Sequence, residues 1–236
     1  CIPAQLIVGC DGRDSAVRRA SGLEARESDY GQLGVVAHFE CAEAHRATAF
    51  QWFREDGVLA LLPLPGRRVS MVWSTPRPHA DTLLALDPAA LAAAVEAASA
   101  GVLGTLKPLT AAAGFALRYD RVPRLVEPRL ALAGDAAHSV HPLAGQGLNL
   151  GLRDVRELAA VLQSRAPRQD CGDHALLRRY ERARREDIAT TGLSADALQA
   201  LFASRSGLAA AVRNSGLGAL NRLGALKSLL IRHAAA

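Results

Sequence analysis

The chain has 236 residues, half of them hydrophobic, and a formal net charge of +5, a balance that supports one large or two small buried cores and excludes intrinsic disorder. No run approaches the ~18 consecutive apolar residues of a membrane span, and the first residues read as a strand instead of a charged-then-apolar leader, which together point to a cytoplasmic protein. The basic excess is C-terminal, with no acid after Asp196 but Arg205, Arg213, Arg222, Lys227 and Arg232 following; aromatics are 4% of the chain and Phe202 is the one aromatic of that tail, a poor match to the basic and stacking mixture of a nucleic-acid partner.

In chain order, Leu6 to Cys10 reads as a strand ending at Asp11-Gly12. A short helix follows, with Ser15 placed to cap it, Arg18 on it and Gly22 just past its end. Short apolar or alternating runs at Gly34 to Glu40, Ala47 to Arg54, Val58 to Leu64 and Arg68 to Thr75 are punctuated by Glu55-Asp56-Gly57 and Pro65-Gly66-Arg67. That pattern predicts hairpins in an antiparallel or mixed sheet. Asp87 to Ala100 is a helix with Asp87 as its cap and Pro88 in its first turn, ended by Gly101. Ala113 to Arg118 is a further strand. Leu130 to Ala133 is a short apolar strand that runs into Gly134-Asp135 and then into a glycine-loosened helix, Gly145 to Leu162. Beyond Pro167, His174 to Phe202 has helical periodicity.

Two of these segments carry a family pattern. Gly134-Asp135-Ala-Ala-His138 continued by His141-Pro-Leu-Ala-Gly-Gln-Gly-Leu-Asn-Leu-Gly-Leu-Arg-Asp154 resembles the second flavin-binding motif of the para-hydroxybenzoate-hydroxylase-like FAD monooxygenases, most closely the branch that hydroxylates ubiquinone precursors. Leu6 to Arg18 resembles the same family's Asp-Gly motif, and the two occur in the family's order. The family opens with a βαβ unit bearing G-x-G-x-x-G, a spacing found nowhere here; Gly145, Gly147 and Gly151 give G-x-G-x-x-x-G. The chain is therefore expected to hold the later part of the family's fold. The fold class implied is α/β with α+β character: the later part of an FAD-binding Rossmann-like domain, an inserted mixed or antiparallel β-sheet substrate domain, and C-terminal helices. The expected boundaries are 1–28 and 119–165 for the FAD-binding part, 29–118 for the sheet domain and 166–236 for the helical region.

The resemblance implies an enzyme in which NAD(P)H reduces FAD, oxygen adds to the reduced flavin, and the flavin hydroperoxide hydroxylates an electron-rich phenolic ring, here a prenylated ubiquinone precursor. It places Asp11, Gly12 and Arg18 near the pyrophosphate and the nicotinamide path, Arg18 through its guanidinium fork. An ordinary strand-turn-helix fits the same residues. It places Gly134 and Asp135 at the ribityl chain and Pro142, Leu143, Ala144, Gly145, Gln146 and Gly147 along the isoalloxazine ring, with Asn149 donating to flavin or bracing the loop. By residue chemistry alone, Asp135 is equally a helix cap, and the glycines would let backbone amides and a helix N-terminus approach an anionic ring.

For the substrate, Trp52, Leu61, Pro63 and Trp73 are candidates to line an apolar pocket, with core packing as the competing reading; in the family one face of this sheet roofs the active site. Asp154 is expected to pair with an arginine. His138 and His141 do not match a zinc spacing, and packing or hydrogen-bonding roles suit them better than metal ligation or acid-base work. Cys1, Cys10, Cys41 and Cys171 form no C-x-x-C and are expected to be free thiols. Leucines 217, 220, 223, 226 and 229 among basic residues suit either packing on the protein's own core or peripheral contact with the inner membrane face or a biosynthetic complex. The rival functions are another flavoprotein oxidoreductase of the same fold and a non-catalytic scaffold of a membrane-associated complex.

Overall fold

The structure is a computed structural model that describes residues 3–139, 147–203 and 224. The chain divides into two compact units, one built from Cys1–Ser28 and Arg118–Ala200 and the other containing Asp29–Leu117.

The first unit is organised by a three-stranded sheet of β1 (Ile7–Gly9), β9 (Leu130–Leu132) and β8 (Val126–Glu127), in the order β1-β9-β8. The β1 and β9 strands run parallel with Ile7 opposite Leu130 and Gly9 opposite Leu132, while β8 is antiparallel to β9. Glycine is required at position 9 by space: a Cβ there would stand 2.8 Å from Leu132 Cδ2 and 3.0 Å from Val17 Cγ1. That gap lets helix α1 (Ala16–Ala20) close onto the strand it follows. Ser15 caps α1 by accepting from the Arg18 amide at 2.9 Å, satisfying one of the donors that a helix start leaves open.

Two long helices complete this unit, α4 (Gly147–Gln163) and α5 (His174–Ala203). On α4 the buried residues Leu150, Asp154, Leu158 and Val161 recur at helical spacing and so share one face. Leu150, Leu158 and Val161 join Leu176, Leu177 and Tyr180 of α5 and the β9 strand in one apolar core. Tyr180 is fully buried and its hydroxyl donates to the Leu132 carbonyl at 2.8 Å. Glu181 on the next position accepts from the Leu125 amide at 2.8 Å.

The second unit is a sheet of order β3-β4-β5-β2-β6, with β7 (Ala113–Arg121) also paired to β2. Its members are β2 (Arg26–Cys41), β3 (Phe50–Arg54), β4 (Gly57–Leu64), β5 (Arg68–Pro76) and β6 (Leu106–Pro108). The pairings β2/β5, β2/β6, β3/β4 and β4/β5 are all antiparallel. One face alternates inward: Val35, Ala37 and Phe39 of β2, Leu59 and Leu61 of β4, and Val69, Met71 and Trp73 of β5 are buried. Helices α2 (Arg77–Ala85) and α3 (Pro88–Ala98) cover that face with Leu83, Leu91 and Val95. Asp87 caps α3, accepting from the amides of Ala89 and Ala90 at 2.9 Å each.

Several elements differ from their expected bounds. The predicted strand start at Ala47 is overturned because Arg46 and Ala47 have φ of 50° and 54°, a left-handed turn that delays β3 to Phe50. The β2 strand begins at Arg26, eight residues before the apolar alternation that marks it in the sequence. Helix α2 and the short β6 and β8 have no counterpart in the sequence reading. Prolines 76 and 78 disguise α2 as a loop, although proline is tolerated in a first helical turn.

Candidate functional site

In the first unit a cleft of about 610 Å³ opens at the carboxyl ends of β1 and β9, the place where open α/β sheets receive ligands. Gly12, Gly134, Asp135 and Gly147 line it, together with Arg13, Ser139 and the apolar Leu148, Leu152 and Val155. After β9 the chain turns through a 3-10 helix, Gly134–Ala136. Gly134 makes that turn at φ 62°, a left-handed value that costs other residues and glycine little. Helix α4 lies so close that a Cβ on Gly151 would stand 3.3 Å from the Gly134 Cα. The floor of the cleft is thus backbone against backbone, open to a flat or phosphorylated ligand.

Asp135 is exposed at the cleft, and its side chain takes no helix-capping hydrogen bond: Ala133 occupies the cap position of the 3-10 turn. The capping alternative for Asp135 is therefore set aside. Pro142, Leu143, Ala144, Gly145 and Gln146, and also His141, Cys1 and, Gly224 apart, the leucine-rich segment 208–231, lie outside the described residues. Gly147 begins the described part of α4 and lines the cleft, while Asn149 is half-buried on the same first turn.

The first motif is arranged differently from expectation. Asp11 does not line the cleft; its carboxylate accepts from the Ala16 and Val17 amides at 2.8 and 3.1 Å and so closes the N-terminus of α1. A hydrogen bond from Ser15, then the Val17 amide, hold its carboxyl below the usual carboxylate range. Arg18, expected to offer a guanidinium fork to phosphate, is buried, and it donates to the Ala136 carbonyl at 2.9 Å and the Arg13 carbonyl at 2.7 Å. Its fork braces the two loops of the cleft from behind. Arg13, absent from the sequence reading, lines the cleft instead, held by Asp120 Oδ2 at 2.9 Å and by the Arg118 carbonyl. The Asp-Gly pattern draws attention to Arg18 on the helix; nothing local in the sequence tells which guanidinium faces the ligand.

Behind the cleft is a charge network. Asp154 is completely buried. Its Oδ2 accepts from the Gly134 amide at 2.9 Å and from His138 Nε2 at 2.7 Å, and its Oδ1 accepts from Arg184 Nε at 2.7 Å. Arg184 also pairs with Asp187, which binds Arg153 at 2.9 Å. Burial pushes the Asp154 carboxyl up, but the His138 hydrogen bond and charge, Arg184 and the Gly134 amide more than offset it, so the carboxyl lies below its ordinary value. The expected arginine partner of Asp154 is therefore Arg184 of α5, and His138 serves hydrogen bonding. Among the described residues, no three His, Cys, Asp or Glu side chains group as a metal site.

In the second unit the four substrate candidates lie on one face of the sheet, Trp52 and Trp73 opposite Leu59, Leu61 opposite Met71 and Pro63 opposite Val69. Leu61 and Trp73 are buried in the core under α2 and α3, so the pocket-lining reading gives way to core packing for both. Trp73 also carries the Arg54 guanidinium over its ring, 5.6 Å from the centroid. Trp52 packs against the same core and stacks on Phe50 with centroids 6.0 Å apart. Pro63 is half-buried at the end of β4. The opposite face of the sheet, carrying Val36, Ala60, Leu62 and Val72 in register, is partly open.

The family described as "FAD binding domain" matches residues 1–192. The chain belongs to it. Within the family's relatives, the chain is 40% identical over 234 residues to the ubiquinone hydroxylase UbiL of Rhodospirillum rubrum, covering 99% of this chain and 54% of that protein. It is 35% identical to the 3-demethoxyubiquinol 3-hydroxylase of Escherichia coli, covering 99% and 60%, and 33% identical to the human mitochondrial ubiquinone biosynthesis monooxygenase COQ6, covering 98% and 57%. The chain thus spans a little over half the length of these relatives. Among solved structures, PqsL of Pseudomonas aeruginosa, a probable FAD-dependent monooxygenase, superposes with a TM-score of 0.72 at 27% identity over 85% of this chain and 57% of that one. HpxO of Klebsiella pneumoniae, in complex with FAD and uric acid, gives 0.69 at 25% identity over 90% and 55%. The mixed α/β architecture is that of FAD-dependent monooxygenases. No helix among the described residues is long and apolar enough to cross a membrane.

Proposed function

We propose that this chain carries the flavin cleft and substrate sheet of an FAD-dependent monooxygenase that hydroxylates a phenolic, prenylated ubiquinone precursor with NAD(P)H and O2. The observation that carries the reading is the cleft at the ends of β1 and β9, where the Gly134–Asp135 turn meets the start of α4 in a chain of the FAD-binding family. The residues present fit the cofactor. Asp135 offers an exposed carboxylate for ribityl hydroxyls, Gly12 and Gly134 remove side chains from the approach, and Arg13 offers a cation at the rim. The N-terminus of α4 contributes its dipole, which favours the anionic end of a reduced flavin.

FAD held there would supply the redox chemistry, hydride acceptance from NAD(P)H and oxygen activation for an electron-rich ring. The protein's own side chains bind and orient. Leu148, Leu152 and Val155 present an apolar wall that keeps water from one side of the cleft. We assign residues 1–28 and 119–165 to the FAD-binding part, 29–118 to the substrate domain, and the remainder, of which α5 is described, to a separate C-terminal region. With Leu61 and Trp73 committed to the core, the prenylated ring is held by the opposite sheet face of Val36, Ala60, Leu62 and Val72. An apolar-tailed substrate favours peripheral placement at the inner membrane face.

The test is turnover of the intact protein with NAD(P)H, labelled O2 and a prenylated phenol. One labelled oxygen atom in the product, with flavin lost on gel filtration from Asp135→Ala but not from the unaltered protein, is the expected result. Oxidation of NAD(P)H without labelled product would overturn the hydroxylase assignment.

A further inference from the structure

We infer that Asp154 is a positioning residue of the flavin cleft: it fixes the turn that presents Asp135, and it is itself oriented by Arg184, thirty residues away on α5. This inference rests on the cleft being the flavin site. One oxygen, Oδ2, gathers the Gly134 amide and His138 Nε2, the two ends of the loop in which Asp135 lies. The same loop is closed by the His138 amide donating to the Gly134 carbonyl at 3.0 Å. Asp135 therefore sits between two residues that share a single acceptor.

The other oxygen, Oδ1, faces Arg184, which is 5% exposed and also reaches the Leu150 carbonyl and Asp187. Tyr180, one turn earlier on α5, holds the Leu132 carbonyl at the end of β9. Strand end and turn are thus referenced to the same helix, which belongs to neither flavin motif. Every acceptor position of Asp154 facing the loop is matched to a donor, so an amide in its place would set an N–H against a donor. Because the network is buried, that mismatch is not relieved by water.

The experiment uses the intact protein loaded with FAD and measures the flavin dissociation constant, its visible absorption spectrum and its midpoint potential, with far-UV circular dichroism as the folding control. Asp154→Asn is expected to weaken FAD by about tenfold or more, the scale of losing hydrogen bonds to a charged group, and to alter the flavin spectrum. Arg184→Lys keeps the charge but lacks the fork that spans Asp154 and Asp187, and should weaken FAD in the same direction. His138→Leu should do likewise, and His138→Gln, which restores an N–H donor, should recover most of the loss. Should Asp154→Asn fail to fold, the His138→Leu and His138→Gln pair decides. Affinity and spectrum unchanged in folded Asp154→Asn, or no difference between the two His138 variants, would overturn the inference while leaving the flavin site standing. Failure of the unaltered protein to bind FAD would instead remove the flavin reading, and the inference with it.

Discussion

Gly134→Ala isolates the conformational demand of the turn from every other effect. At φ 62° the residue is left-handed, and no atom of the described residues lies within 4 Å of where a Cβ would be placed, so they add no steric crowding. A left-handed backbone costs an L-residue about 1–2 kcal/mol. Alanine returns about 0.4–1 kcal/mol by narrowing the unfolded ensemble. The net loss is then about 1 kcal/mol, a fall in Tm of about 2–4 °C for a chain of this size. Asparagine tolerates the left-handed region better, so Gly134→Asn should lose less than Gly134→Ala. Thermal unfolding followed by circular dichroism, with flavin affinity measured in parallel by fluorescence quenching, reads both effects. A loss above about 3 kcal/mol exceeds what the backbone preference supplies and would refute the reasoning, as would asparagine proving no better than alanine.

The face assignment of the sheet predicts that Leu61→Ala costs about 2–5 kcal/mol in urea unfolding, because Leu61 is fully buried. Leu62→Ala should change stability by less than about 0.5 kcal/mol and shift KM for an apolar-tailed substrate; a reversal of the two would place the core on the other face. Asp154 and Asp187 both have carboxyls lowered in the folded state, so the stability they contribute is present above the unfolded value of about 4 and is lost as pH falls through their folded values. Asp187→Asn should flatten the decline in urea midpoint between neutral and acid pH, and an unchanged decline would count against the network. Gly57→Ala should abolish soluble expression, since a Cβ there would sit 2.0 Å from the Ser74 carbonyl oxygen at φ 131°; a soluble variant with native circular dichroism would contradict this.

Local chemistry was readable from the sequence wherever it acts over a few residues. Ser15 and Asp87 cap the helices their positions suggest, and Gly134 turns the chain where a strand gives way to polar residues. What escaped is decided across the fold. Arg13 and Arg18 are five residues apart and chemically identical, and only the Ala136 carbonyl, brought up from the distant second motif, settles that Arg18 is the one turned inward. Leu61 and Leu62 are likewise adjacent, and which is buried depends on how β4 lies in register between β3 and β5. Asp154 advertises an arginine partner without revealing which, because Arg184 is supplied by another helix.

The near contact of Gly151 with Gly134 makes helix α4 and the strand-end turn a matched pair of bare surfaces, like two faces of a joint ground to one thickness. Any side chain introduced at position 151 would act as a shim, lifting the helix by a fraction of an ångström along with Gly147, Leu148 and Leu152, which ride on it. A single methyl at this seam would therefore change the width of the whole cleft while altering none of its other lining side chains.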